Sequence, residues 1–325
     1  MKPKVIVICG PTASGKTSLS IEVAKKIDGE IISCDSMQIY KEMNIGTAKP
    51  TVEEMQGIPH YMLDFVLPSE RYSVADFKEA ATDRIEDILK REKVPIIVGG
   101  TGLYVDALTK NITYPEIEID LEYRKQLEEL IKENGLESLY EEAKKIDEKA
   151  MQTISKNDKK RIMRVLEIYH QTGKTKTQLE SESRLTSPPY EYIVFAINME
   201  REKLYERINK RVDIMIDQGL IEEVEALTKK YEEFPTAMQG LGYKEVVSYL
   251  KKEITKEEMI EKLKMETRRY AKRQLTWFRK DENIKWIDGL APLKQNIQCI
   301  LEEYSGEKEL SLIHISEPTR RSYIS

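Results

Sequence analysis

The first hundred residues alternate short apolar runs with longer amphipathic stretches. Apolar runs at Val5–Cys9, Glu30–Cys34 and Val94–Val98 are typical of buried parallel strands, whereas residues 16–27 and about 75–91 have the periodicity of helices. Strands that alternate with helices favour parallel pairing through crossover helices. This part of the chain therefore predicts an α/β fold with a parallel sheet flanked by helices.

The pattern changes at about residue 113. Amphipathic helix patterns fill 121–150 and 158–173, with Gly135 and Gly173 as the expected helix ends, and no strand pattern interrupts them. We therefore predict an inserted all-helical subdomain over 113–190.

A strand pattern returns at 193–199, and helix patterns then fill 201–280. We predict that residues 1–112 and 191–305 form one catalytic core around the sheet. Residues 306–325 fit no element, and we interpret them as a disordered or non-native tail.

The sequence GPTASGKT at 10–17 follows the first strand and opens the first helix. It matches the phosphate-binding loop GxxxxGK(S/T), in which backbone N–H groups and a lysine surround an anion and the last hydroxyl can bind Mg²⁺. The phosphate ligands predicted from this match are Gly10, Pro11, Thr12, Ala13, Ser14, Gly15, Lys16 and Thr17. Thr17 is also the predicted metal ligand.

The acid expected near such a loop is in an unusual place. Enzymes that cleave a terminal phosphate usually have an Asp at the end of a later strand, but the 94–98 strand ends in Gly99-Gly100-Thr101. Asp35 instead follows the second strand, where it would face the same cleft as the loop. We predict that Asp35 accepts a proton while a diphosphate leaves. An acid that holds Mg²⁺ through its bound water, a helix cap and a kinase acid remain alternatives.

The charge is unevenly distributed along the chain. The 325 residues have a net charge of −5, yet positive charge is concentrated at 156–164 and 268–280. Basic residues interleaved with Tyr270, Trp277 and Phe278 suit a surface that contacts nucleic-acid phosphates, but a solvated helix face is an equal alternative.

Composition excludes some classes of protein and site. No apolar run is long enough to span a membrane, so we expect no membrane partner and a cytoplasmic location. Three cysteines and three histidines lack the spacing of a metal site, and we interpret the cysteines as reduced.

Short segments along nearly the whole chain, taken in order, resemble one family. The segments are GPTASGKT, SCDSMQIYK, GIPHYMLDF, YSVADF, IIVGGTGLYV, NDKKRIMRVLEIY, GKTKTQL, GLGYKEV and YAKRQLTWFRK. Together they resemble the tRNA dimethylallyltransferases, also called tRNA isopentenyltransferases, of the bacterial type. One departure is His60-Tyr61, where the family often has two histidines, and the role of Tyr61 stays open.

The resemblance implies a P-loop NTPase-like core and a defined reaction. A dimethylallyl group would pass from dimethylallyl diphosphate to the exocyclic amine of the adenosine 3′-adjacent to the anticodon, with release of diphosphate. The phosphate loop would then bind the diphosphate of an isoprenoid. The expected partners are dimethylallyl diphosphate and the tRNA anticodon stem-loop, the expected cofactor is Mg²⁺, and the enzyme is expected to act as a monomer.

The resemblance also assigns roles to single residues. Asp35 would be the general base, Thr101 would lie near the reacting centre, and Arg124 would lie beside the substrate. The family's RNA-contacting segments and the cations that recur at helical spacing in 268–280 give one predicted tRNA-binding set: Asp35, Ser36, Met37, Gln38, Thr101, Arg124, Lys159, Lys160, Arg161, Ile162, Met163, Arg164, Arg269, Lys272 and Arg273.

Three other functions share part of this pattern. An adenylate isopentenyltransferase would share the loop and Asp35 but would not need the basic segments. A small-molecule kinase would need the strand-end Asp that 94–101 lacks. A non-catalytic RNA-binding module would have no use for Asp35 in the cleft.

Overall fold

A computed structural model of the protein describes residues 2–112, 120–183 and 186–306. Six strands form one parallel sheet in the order β3-β2-β4-β1-β5-β6. The strands are β1 (Lys4–Cys9), β2 (Gly29–Ser33), β3 (His60–Tyr61), β4 (Val94–Gly99), β5 (Glu191–Asn198) and β6 (Lys285–Asp288). The predicted α/β fold with a parallel sheet is confirmed.

Helices cover both faces of the sheet and extend beyond it. In the described residues the α-helices are α1 (Lys16–Ile27), α2 (Val52–Met55), α3 (Val74–Lys90), α4 (Gly102–Thr109), α5 (Leu121–Ile146), α6 (Glu148–Met151), α7 (Lys159–Thr172), α8 (Lys176–Ser183), α9 (Arg201–Asp217), α10 (Leu220–Lys230), α11 (Tyr243–Leu250), α12 (Lys256–Phe278) and α13 (Leu293–Ser305). No helix in these ranges is both long and apolar enough to cross a membrane.

The central strand β1 is buried on both faces, which explains its continuous apolar run. Its register places Ile6 beside Ile96 and Ile193 in the two neighbouring strands. Val7 packs into the core on one face of the sheet and Ile8 into the core on the other. The predicted strands therefore sit in the middle of the sheet. The short edge strands β3 and β6 were not predicted, because they are brief and much of their surface is exposed.

Helices α5 to α7 pack around a hydrophobic core of their own, and α8 contacts α6 and α7. Leu127 and Leu139 of α5 meet Val165 and Leu166 of α7 in that core. The predicted helix ends also appear, since Gly135 interrupts α5 and Gly173 ends α7, each with positive φ. The separate core supports the predicted insertion, whose limits stay a prediction because 113–119 lie outside the described residues. The predicted tail lies outside them too, from residue 307 onward.

The C-terminal helices hold the segment that follows Asp35. Ile39, Tyr40 and Met43 are buried against Leu220 and Tyr243 in a third core. The chain leaving the second strand is thereby fixed between the sheet and α10 and α11, and this packing determines where Asp35 lies.

Candidate active site

The predicted phosphate loop lies between the carboxyl end of β1 and the first turn of α1. Gly15 has φ 94°, a conformation that favours glycine, and it directly precedes the helix. The loop is braced from within, because Ser14 Oγ and Lys16 Nζ donate to the carbonyl of Pro11 at 2.8 and 2.7 Å. All eight predicted loop residues thus lie around one helix N-terminus, which favours an anion there.

Two arginines of α9 lie beside the loop. Arg211 NH1 lies 3.4 Å from Thr12 Oγ1, within hydrogen-bonding distance. A Cβ atom built on Gly15 would lie 3.9 Å from Arg207 NH1. The sequence-based prediction missed both arginines, although they are four residues apart and therefore on one face of α9.

The positive charges of Lys16 and Arg211 repel each other across the loop. Burial, followed by the charge of Arg211, lowers the pKa of Lys16 to about 8. Burial also lowers the pKa of Arg211. A bound anion between the two groups would relieve this repulsion, so the electrostatics of the loop favour an anion.

Asp35 follows β2 and faces this cluster of charge. Its Oδ1 accepts hydrogen bonds from the backbone N–H groups of Met37 and Gln38, at 2.8 and 3.4 Å. Burial raises the pKa of Asp35, while the Met37 N–H and the charges of Lys16 and Arg211 act in the opposite direction. Oδ1 therefore caps the following turn, as one of the alternatives expected, but Oδ2 has no hydrogen-bond partner among the described residues.

The Gly-Gly-Thr loop meets the Asp35 segment directly. A Cβ atom at Gly99 would lie 2.1 Å from the carbonyl oxygen of Cys34, so the two strand ends touch where only glycine fits. Thr101 Oγ1 accepts a hydrogen bond from Ser36 N at 3.1 Å and lies 3.4 Å from Ser36 Oγ. The fold thus brings Thr101 beside the segment of Asp35.

The three residues after Asp35 have different surroundings. Gln38 uses its whole amide within the protein: Oε1 accepts from Ser33 Oγ at 3.0 Å, and Nε2 donates to the carbonyls of Thr47 and Ala48 at 3.2 Å each. Its side chain therefore stabilises the 38–48 loop. Ser36 and Met37 are only partly buried at the cleft.

Arg124 lies in the helical insertion. Its guanidinium binds Glu167 Oε1 through Nε at 2.7 Å and NH2 at 2.6 Å, and Arg164 NH1 lies 3.5 Å from the other oxygen of Glu167. Glu167 is buried, so it fixes the direction of both arginines. The contacts of the described residues do not join Arg124 to Asp35 or Thr101.

The basic segment of α7 presents some predicted residues and hides others. The cations Lys159, Lys160 and Arg161 are exposed. Ile162 and Met163, in contrast, are 0% and 5% exposed within the core of the insertion, so their side chains support the fold and their part in tRNA binding stays a prediction. Helical geometry turns these two apolar residues away from solvent.

Helix α7 approaches the site at its N-terminal end. Lys160 Nζ donates to Gln239 Oε1 at 3.3 Å. The next residue, Gly240, packs against Met37, because a Cβ atom there would lie 2.6 Å from Met37 Cε. The basic helix thus adjoins the segment that follows Asp35.

Helix α12 separates its charged residues from its buried ones. Arg269, Lys272 and Arg273 are exposed. Gln274 and Phe278 are buried on the other side. The predicted tRNA-contacting cations of this segment therefore lie together on the solvent face.

Tyr61 lies outside this cluster of residues. Its hydroxyl donates to Glu30 Oε2 at 2.9 Å, and Arg91 binds both oxygens of the same buried carboxylate. Glu30 lies near the beginning of β2, whereas Asp35 follows its end. Tyr61 therefore stabilises an ion pair at the opposite end of the strand.

The protein resembles known proteins over nearly its whole length. Residues 38–281 match the family model of IPP transferases. A tRNA dimethylallyltransferase from Acetivibrio thermocellus is 53% identical over 285 residues, which cover 87% of this chain and 91% of that protein. The counterpart from Halothermothrix orenii is 50% identical over 285 residues, 87% of either chain.

Solved structures agree with these relatives. A tRNA delta(2)-isopentenylpyrophosphate transferase from Staphylococcus epidermidis has a TM-score of 0.70 at 44% identity, over 94% of this chain and all of that one (100%). A eukaryotic dimethylallyltransferase acting on tRNA has a TM-score of 0.79 at 30% identity, over 95% of this chain and 81% of that one. With a family model and close relatives matched over most of its length, this chain belongs to the IPP transferase family.

Proposed function

We propose that this protein transfers a dimethylallyl group from dimethylallyl diphosphate to the exocyclic amine of the adenosine 3′-adjacent to the anticodon in tRNA. The observation that carries the proposal is the position of Asp35, a carboxylate with a raised pKa that faces the lysine of a phosphate loop. The curated relatives are named for the same transfer.

The leaving group is the first requirement of this reaction. The bond between the allylic carbon and the diphosphate oxygen breaks, and its electron pair stays on the diphosphate. Lys16, Arg211 and the N–H groups of the loop lie where that charge develops, and such preorganised donors are usually the largest source of rate enhancement.

The adenine amine is the weak nucleophile. Its nitrogen forms the new bond to the allylic carbon and loses one proton, which we assign to Asp35. A raised pKa makes a carboxylate a better proton acceptor near neutral pH. Thr101, bonded to the backbone of Ser36, holds the loops on either side of the reacting atoms.

A divalent cation fits this site chiefly through the substrate. Among the described residues, no group of three His, Cys, Asp or Glu side chains could hold a metal. Mg²⁺ commonly keeps waters and binds through few protein groups plus substrate phosphates. We propose that the Thr17 hydroxyl holds Mg²⁺ together with the diphosphate, where the ion would neutralise part of the leaving charge.

The tRNA would be held from two sides by basic helices. The exposed cations of α7 and α12 suit phosphate contacts, and α7 contacts the segment beside Met37. The adenine must leave its base stack to reach the partly buried carboxylate of Asp35. All of these groups belong to one chain, in keeping with action as a monomer.

The test is a labelling experiment with the purified protein, radiolabelled dimethylallyl diphosphate and either unmodified tRNA or AMP. We expect label in the tRNA alone. Label in AMP would instead identify an adenylate isopentenyltransferase, and transfer of phosphate from ATP to a small alcohol would identify a kinase. A tRNA transcript in which the adenosine beside the anticodon is replaced by guanosine is the matched control and should stay unlabelled.

A further inference from the structure

One face of helix α12 packs against the Gly-Gly-Thr loop, Gly99-Gly100-Thr101, and the residue after it. Tyr270, Gln274 and Trp277 are spaced four and three residues apart, which places them on one side of a helix. Tyr270 lies close to Thr101, and the Trp277 ring packs against Gly102. Gln274, the middle residue of the three, also contacts the phosphate loop.

Gln274 joins the phosphate loop to the Gly-Gly-Thr loop. Its Oε1 accepts a hydrogen bond from the Thr12 backbone N–H at 2.9 Å, and its Nε2 donates to the Gly100 carbonyl at 2.9 Å. The side chain is 5% exposed, so water cannot easily replace these bonds. A Cβ atom at Gly100 would lie only 2.1 Å from Nε2, so the contact leaves no room for a larger residue.

The Gln274 amide satisfies both ends of this bridge. Thr12 offers a donor and Gly100 an acceptor, and the amide presents an acceptor and a donor on one planar group. The first loop would hold the diphosphate and the second carries Thr101. The bridge therefore sets the spacing between the leaving group and the nucleophile, and a 1 Å error in such a spacing costs about 10²-fold in rate.

We propose that Gln274 is a positioning residue that holds the diphosphate loop and the Gly-Gly-Thr loop in register for group transfer. The same helix presents Arg269, Lys272 and Arg273 to solvent, so one rigid element carries both the bridge and the predicted tRNA contacts. The inference rests on the proposed transfer reaction for its rate measurements, but not for its binding measurement.

The first test compares Gln274→Met with Asn296→Leu. The methionine keeps the length of the side chain and removes both hydrogen bonds. Asn296 is the matched control: its amide is 8% exposed and donates to the Asp288 carbonyl at 2.7 Å, a bond that involves neither loop. We expect Gln274→Met to lower kcat by about 10- to 100-fold with KM for tRNA within about threefold, and to weaken binding of inorganic diphosphate. Asn296→Leu should lower Tm without changing kcat or the affinity for inorganic diphosphate.

The second test uses Gln274→Glu and keeps the proposal testable if the methionine variant fails to fold. The ionised carboxylate would accept from Thr12 N–H but repel the Gly100 carbonyl, whereas the protonated acid would satisfy both. The rate of this variant relative to wild type should therefore rise as pH falls. A residue that only stabilises the fold would make the Tm of this variant depend on pH but not the rate of its folded form.

The results separate the inference from the proposed function. If wild type labels no tRNA, the proposed reaction is wrong, and calorimetric binding of inorganic diphosphate still tests the bridge. If the methionine variant matches Asn296→Leu in kcat and in diphosphate affinity, Gln274 is not a positioning residue. A pH-independent rate ratio for Gln274→Glu would overturn the inference equally.

Discussion

Two partly buried groups of opposite charge show how environment changes residue chemistry at this site. Burial raises the pKa of Asp35 and lowers that of Lys16 to about 8. Each shift disfavours the charged form, and each is reduced by the other group's charge. If diphosphate binds at this loop as proposed, its negative charge would link the protonation of both groups to substrate binding.

Replacing Asp35 tests the assignment of the base. Asp35→Asn keeps the shape of the side chain and its turn cap but removes the proton acceptor. We expect a loss of about 10²- to 10⁴-fold in kcat, with tRNA affinity nearly intact, measured by labelling and by gel-shift titration. Asp83→Asn, at an exposed position on α3, is the matched control. Activity of the Asp35 variant within a few-fold of wild type would rule out the role.

The lowered pKa of Lys16 predicts a pH-dependent affinity for diphosphate. Free Lys16 is charged below about pH 8 and neutral above it, and bound diphosphate should return its pKa toward the ordinary value. At pH 9 binding should therefore take up about one proton more in wild type than in Lys16→Met. Calorimetry in two buffers with different ionisation enthalpies measures this uptake, and equal uptake in the two proteins would contradict the assignment.

At the scale of elements, each basic helix divides into a buried face and a charged face. Helix α7 buries Ile162 and Met163 while Arg161 stays exposed, and α12 buries Gln274 while Lys272 stays exposed. Helical periodicity thus allows one segment to support the fold and to meet a ligand. The charged face by itself does not distinguish a tRNA contact from a solvated surface, so the distinction needs measurement.

Charge reversal makes that distinction. Arg161→Glu and Lys272→Glu should each raise KM for tRNA and lower the slope of log affinity against log salt by about one unit, because each removes a phosphate contact. Stability should change by no more than about 0.5 kcal/mol, as is usual for exposed charges. Lys203→Glu, on an exposed position of α9, is the control. If the salt dependence of tRNA affinity is unchanged in both variants, both cations lie on a solvated face and do not contact tRNA.

At the scale of the whole molecule, the sheet and the helical insertion have separate hydrophobic cores. The sheet orders the phosphate loop and the Asp35 segment, whereas the insertion orders the cations of α7. The two cores should therefore affect different steps of the proposed reaction when they are weakened.

A cavity in the insertion tests this separation. Leu139 is 1% exposed in the insertion core, and Leu139→Ala should destabilise that core by about 2–5 kcal/mol. We expect weaker tRNA binding but unchanged affinity for inorganic diphosphate, measured by gel shift and calorimetry. Ile300→Ala is the matched control, because it opens a cavity in a hydrophobic core that packs on the sheet. Loss of diphosphate binding in folded Leu139→Ala would show that the two cores are coupled.

Local patterns in the sequence determined much of this molecule. The central strands were predictable because parallel strands covered on both faces must be apolar along their length. The phosphate loop was predictable because its ligands are consecutive and mostly backbone groups. Asp35 was located by its place after a strand, since the carboxyl ends of parallel strands meet at one edge.

Tertiary packing decided the remaining features. Arg211 and Gln274 reach Thr12 from 199 and 262 residues away, and no local pattern specifies which helix packs beside the loop. The edge strands β3 and β6 exist because the neighbouring strand supplies their hydrogen bonds, not because of their own propensity. Side-chain contacts between distant elements depend on how the helices pack on the sheet, and that arrangement minimises the free energy of the whole chain rather than of any one segment.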